Sequence, residues 1–353
     1  MSNSRRKPKP RRRPAKNRHT WVDLPDDELL DWRLRDLGLR IEGTPLEPLI
    51  GRLGAELGRR GLCFRPHVWL SSEWFSPDGI PGIAIPFFLA HPRLARLEAR
   101  QMLEVEGGSA HACMRLLRHE AGHAIDTAYR LHYKKRWRET FGRFAQRYPA
   151  TYRPNPRSRK FVLHLDAWYA QAHPAEDFAE TFAVWLTPRS TWRTRYADWP
   201  VALRKLECVD ELMRAAGYTP APVRSRAHVE PVSQLTLTLR EHYRRKREFY
   251  VDHWPDFYDE DLRRLFTNDR GNGNPNASAF LRALRRELRE TVAEWTGAHP
   301  YTIDQVLQDM IERCRELRLR LTRSPARTKT QAIILLTVHT LACLHTARRE
   351  IAL

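Results

Sequence analysis

The chain has 353 residues, long enough for one large or two medium domains with a sizeable core. It carries 61 Lys and Arg against 42 Asp and Glu, a net charge of +19, and its 11 Trp and 13 Phe exclude a chain disordered throughout. Five cysteines, odd in number and without a Cys-x-x-Cys pair, argue against a disulfide framework and a thiolate metal site, and point to a reducing, cytoplasmic compartment.

Residues 1–18 hold nine Lys or Arg, three Pro and no acid. Such a run cannot bury a core, so residues 1–20 are expected to form a basic disordered tail. It lacks an apolar h-region and is not a secretory signal. It is either a solubilising tail or an arm for a polyanion or nucleic acid, held by phosphate contacts that salt weakens. From Trp21 to Leu62 the apolar spacing predicts two short helices, the second ending at Gly58 or Gly61. Residues 67–70 read as a strand, 76–79 as a turn, and 82–89 as a second strand. Pro86 makes that second strand either a sheet edge, on which an extended peptide can pair its backbone, or a core strand with a proline bulge.

The stretch Arg118-His119-Glu120-Ala121-Gly122-His123 follows, flanked by Met114, Leu116 and Leu117 before it and Ala124, Ile125 and Ala128 after it. Two His four residues apart on a helix share one face, one turn apart, so both rings can meet a single metal. Glu120 projects beside that face, where a carboxylate can take a proton from water. Residues 130–160 then hold eleven basic side chains against one acid, Glu139. Such runs are usually solvated faces. This one leads away from the His pair and is a candidate rim for the site, where it would favour an acidic peptide or a protein bound to nucleic acid. His164, Asp166 and His173 are read as structural polar residues, with His173 a candidate helix cap.

A zinc peptidase needs a third protein ligand and leaves the fourth position to water. A metzincin would have Gly three residues after His123 and His six residues after it; those positions are Asp126 and Tyr129. Asp126 itself sits too near His123 on the same helix to close a site. A Glu on a later helix is the remaining option. Pro174 suits a first helical position and puts Glu176 and Asp177 in the first turn, where the helix dipole favours acids. Glu180 lies one turn on along the same face, so spacing alone leaves Glu176 and Glu180 both open as the ligand.

The pair His119-Glu120-Ala-Gly-His123 and Glu176-Asp-Phe-Ala-Glu180 resembles the gluzincins, most closely a bacterial family of zinc-binding metallopeptidases. It is also similar to the catalytic domain of anthrax lethal factor, where a Glu-x-x-Ala-Glu helix follows the His-Glu-x-x-His helix. The resemblance covers residues 68–213 and implies an α+β, zincin-like domain with a small sheet and one zinc ion. By that resemblance Glu176 is the ligand beside His119 and His123, Glu180 is the carboxylate behind it, and Tyr169 is the tyrosine that steadies the oxyanion. It supplies chemistry without a target beyond a peptide or protein.

Further on, residues 203–216 read as a helix and 218–222, with Pro220 and Pro222, as a linker. Residues 235–265, 279–295, 302–321 and 331–351 are helical in pattern, with a Gly/Asn-rich loop at 268–276. The apolar run at 333–336 is too short to span a membrane. The expected organisation is therefore a tail at 1–20, a zincin-like metallopeptidase domain at 21–220 and a helical accessory region at 221–353. Two rival classes are a structural zinc protein without catalysis and a nucleic-acid-associated protein whose zinc site acts on bound proteins.

Overall fold

A computed structural model of the chain describes residues 19–149, 151–152, 155–166, 168–217, 219–249, 258–268, 274–346 and 351–352. The expected tail up to residue 18 and the centre of the 268–276 loop lie outside them. The fold is mostly helical with a small sheet. In chain order come α1 (Asp26–Leu30), α2 (Leu46–Arg59), β1 (His67–Ser71), β2 (Gly82–Pro86), α3 (Pro92–Met102), α4 (Ala110–Tyr129) and α5 (Lys135–Phe141). After the short β3 (Thr151–Tyr152) follow α6 (Pro174–Leu186), α7 (Trp192–Arg195), α8 (Pro200–Ala216) and α9 (Leu239–Phe249). The remainder is α10 (Asp259–Leu265), β4 (Phe266–Thr267), α11 (Ala277–Ala283), α12 (Arg285–Thr296), α13 (Pro300–Glu316), β5 (Arg320–Leu321), α14 (Pro325–Thr346) and β6 (Ile351–Ala352).

Strands β1 and β2 pair in parallel, His67 opposite Gly82 through to Ser71 opposite Pro86. The second strand stops at Pro86, three residues earlier than the apolar run suggested, and Phe87–Ala90 turn into a 3-10 helix. Every residue of β2 is buried, and Ala84 N donates to Phe75 O at 2.8 Å. At that position the strand is already paired, as in the core-strand reading. Helix α4 packs against both β2 and α6.

Three helices start with the same dipeptide. At His91-Pro92, His173-Pro174 and His299-Pro300 the proline takes the first helical position, and the His Nδ1 accepts the backbone N–H two residues on, at 3.1 Å in each case. The cap satisfies one of the amides that a helix start leaves without a partner. Helix α3, which the sequence did not announce, begins this way and buries Leu94, Leu97 and Met102.

Buried apolar residues form two clusters. The first runs from Trp21 to Tyr243 and the second from Tyr258 to Leu336. The first continues past the Pro220/Pro222 stretch because the following backbone lies along β1: Trp69 Nε1 donates to Val229 O at 2.8 Å and Ser71 Oγ to Glu230 O at 2.7 Å. Val232, Leu239 and Tyr243 then enter the same core. No helix of the described residues is long and apolar enough to cross a membrane.

Helix α9 brings one buried titratable group into that core. His242 is 5 % exposed, lies edge-on to Phe87 with ring centroids 5.3 Å apart, and its Nε2 has no hydrogen bond among the described residues. Burial, with Lys246 adding to it, pushes its pKa down to about 3. A folded value below the unfolded value of about 6.5 means that the unfolded chain binds the extra proton between those pH values. This contribution to stability is therefore complete above pH ~6.5 and is lost on acidification, at up to about 1.4 kcal/mol per pH unit. Urea unfolding between pH 7 and 4.5 is expected to show a shallower acid loss in His242→Gln than in the wild type. Parallel pH profiles would remove His242 as the source.

Candidate metal centre

Helix α4 carries the His-Glu-x-x-His stretch in its middle. Ser109 caps it, accepting from Ala112 N at 3.1 Å, and it ends at Arg130, in the left-handed region at φ 51°. From Cys113 to Tyr129 nearly every residue is buried, so the helix is a central strut rather than a surface element. Helix α6 crosses it at a point where a side chain would not fit: a Cβ on Gly122 would lie 2.7 Å from Ala179 Cα. The glycine between Glu120 and His123 thus sets how near α6, and with it Glu176 and Glu180, can come to the two imidazoles.

Three ligand-type atoms meet there. His119 Nε2, His123 Nε2 and Glu176 Oε2 form a nearly equilateral triangle, 3.1 Å between the two nitrogens, and 3.0 Å and 3.1 Å from the carboxylate oxygen to His119 and His123. Zinc bonds of about 2.0–2.1 Å at tetrahedral angles would hold ligand atoms about 3.3 Å apart. The donor set therefore fits a zinc ion. It is the one group of three metal-ligating side chains found among the described residues.

Two of the three, His119 and Glu176, are held from behind. His119 Nδ1 donates to Glu180 Oε1 at 2.8 Å, which leaves the Nε2 lone pair aimed at the triangle. Glu180 is 1 % exposed, and its Oε2 accepts from Leu165 N at 2.8 Å. Glu176 receives a second hydrogen bond on Oε1 from the Tyr148 hydroxyl at 2.8 Å. That tyrosine is stacked on the His173 ring, centroids 3.7 Å apart. No motif spacing in the sequence pointed to Tyr148, which comes from the basic 130–160 insertion. Two further ion pairs of α4 serve the scaffold: Asp126 pairs with His132 at 2.6 Å, and Arg118 forks onto the buried Glu56 at 2.7 and 2.9 Å.

The charges interlock. Burial opposes protonation of His119, but the Glu176 and Glu180 carboxylates outweigh it and hold its pKa well above the ordinary value. For Glu176 burial pulls upward, and the two imidazoles outweigh it and hold the carboxyl well below the usual range. Glu120 differs. Burial raises its pKa against the pull of His119 and His123, and its Oε2 is buried without a hydrogen bond among the described residues. Burial also lifts Glu106 to about 7, with the Glu73, Glu104 and Glu120 carboxylates adding to it and Lys246 opposing.

The remaining expected residues fall into place around this core. The Tyr169 ring lies 5.6 Å from that of His119, and burial followed by the Glu176 charge raises its pKa. His164 binds Arg115 O at 3.0 Å, and Asp166 pairs with Arg115 at 3.3 Å. Asp177 points away from the triangle to Lys205 at 2.6 Å. Among the described residues, the insertion's contribution to the triangle is thus the Tyr148 hydroxyl rather than a basic side chain.

No curated protein and no solved structure matches the chain. Residues 105–246, which contain α4, α6 and the whole triangle, match the model of the family described as "Putative zinc-binding metallo-peptidase".

Proposed function

We propose that the chain is a zinc-dependent peptidase with a gluzincin ligand set, His119, His123 and Glu176. The observation that carries this reading is the triangle of 3.0–3.1 Å between those three ligand atoms, with Glu120 buried beside it and lacking a partner for Oε2 among the described residues. A zinc ion there would polarise a scissile carbonyl and bring the pKa of water down toward about 7. Glu120 takes the proton of the attacking water and returns it to the leaving amine; a carboxyl whose pKa burial has raised is suited to both halves of that transfer. Glu180 fixes the His119 ring and its tautomer. Tyr148 orients the Glu176 carboxylate, and Tyr169, on the same side as His119, donates its hydroxyl to the oxyanion. A structural zinc site would close with four protein ligands, and three are within reach here among the described residues.

A mixed peptide library incubated with zinc-loaded protein, read by mass spectrometry, tests this. Cleavage at a restricted set of bonds is expected, abolished by a chelator and restored by zinc. A fully loaded, folded protein that cuts no peptide in the library, nor any in a digest of denatured protein, would count against peptidase activity.

A further inference from the structure

Away from the triangle, the end of α2 and the turn after α6 border an open cavity of ≈ 840 Å³. That is within the size range of small-molecule sites, about 300–1,000 Å³. Four arginines line it, Arg52, Arg59, Arg60 and Arg189, with Glu56 as the single acid. The plain alternative is that they neutralise the C-terminal ends of α2 and α6, and Arg60 does so in part: its guanidinium donates to Trp185 O and lies over the Trp185 ring, 4.6 Å from the centroid. The charge balance goes further than that. Two helix ends amount to roughly −0.5 each. Glu56 is already taken by the buried Arg118 and by Arg52 at 3.1 Å. Arg59 and Arg189 make no ion pair or hydrogen bond among the described residues, and Arg189 is held in the left-handed region at φ 57° between Pro188 and Ser190. The lining side chains and the two helix ends together therefore leave a surplus of about +2 facing one concave space.

We infer that this cavity is a binding site for a small phosphate ester, gripped by Arg59, Arg60 and Arg189. A phosphate monoester carries about −1.5 to −2 at neutral pH and offers three acceptor oxygens. Guanidinium forks match those oxygens pairwise, and this sets the cavity apart from a solvated lysine-rich face. The arginines converge on one concave space, which suits a compact ligand, whereas a nucleic-acid backbone needs a groove or stripe that tracks successive phosphates. The site is independent of the peptidase reading: none of its arginines touches the triangle.

The test is calorimetric titration of the full chain with inorganic phosphate, with ribose 5-phosphate and with a single-stranded oligonucleotide, at one ionic strength. Three proteins are compared: wild type, Arg59→Glu/Arg189→Glu, and Arg263→Glu/Arg282→Glu as a control of equal charge change on the second cluster. Thermal unfolding of each confirms folding, and Arg59→Gln/Arg189→Gln replaces the reversal if it unfolds. One site per chain for ribose 5-phosphate is expected, weakened at least tenfold by the cavity substitutions and unchanged in the control. Saturable binding of inorganic phosphate with the same sensitivity would also support the site and make the phosphoryl group sufficient. Equal weakening in cavity variant and control, no saturable binding of either phosphate, or cavity-dependent binding of the oligonucleotide alone would each overturn it.

Discussion

Glu120→Gln is expected to keep its zinc and to lose hydrolysis by about 10²–10⁴-fold, the usual worth of a positioned general base. The substitution keeps the side chain's shape and removes only its capacity to take a proton. Zinc should stay because the three triangle atoms belong to His119, His123 and Glu176. Glu120 is 7 % exposed, and its free oxygen has no hydrogen bond to lose among the described residues, so the folded state should tolerate the amide. Metal content by mass spectrometry and turnover on a peptide from the library decide it together. Turnover like that of the wild type would end the general-base assignment. Two tyrosines separate on the same assay. Tyr169→Phe should retain zinc and lose an oxyanion donor, a contact worth about 2.7–4 kcal/mol. Tyr148→Phe should act mainly through metal affinity, because its hydroxyl binds Glu176.

The second large effect divides the two glutamates of α6. Glu176→Ala is expected to purify with little zinc, whereas Glu180→Ala should still bind it, about 10–100-fold more weakly. Both residues lie on one helix face, but they meet opposite edges of the His119 ring: Glu176 Oε2 is 3.0 Å from Nε2, and Glu180 Oε1 is 2.8 Å from Nδ1. Losing the first removes one corner of the triangle. Losing the second leaves the corners and frees the ring to rotate or change tautomer. Dialysed protein measured by metal mass spectrometry gives the answer. An empty Glu180→Ala beside a loaded Glu176→Ala would make Glu180 the ligand and move the site one turn along α6.

The helices of the site were legible for a local reason. The i, i+4 spacing of His119 and His123, and the His173-Pro174 start that puts Glu176 in a first turn, are properties of a few neighbouring residues, and helix geometry turns them directly into a shared face. The 82–89 run was harder. An apolar stretch has the same pattern whether it stays extended or turns, and Pro86, not hydrophobicity, ends β2. Helix α5 lay hidden inside a charge run, since its burial rests on Trp137 and Phe141 alone among seven residues. The Pro220/Pro222 stretch marks no end of the first core, because Trp69 and Ser71 bind backbone carbonyls of the segment that follows.

By itself, the sequence determined which residue types could hold a metal and on which two helices, because that information is written within single turns. Only the tertiary structure decided how those helices meet. The approach of α6 to α4 depends on the missing side chain of Gly122 against Ala179, a contact between residues far apart in the chain. The same packing brings Tyr148 from a basic insertion onto Glu176, and sets four arginines from the end of α2 and the turn after α6 around one cavity. No local periodicity encodes such meetings. They follow from which surfaces the buried core brings face to face, and that is a property of the whole chain.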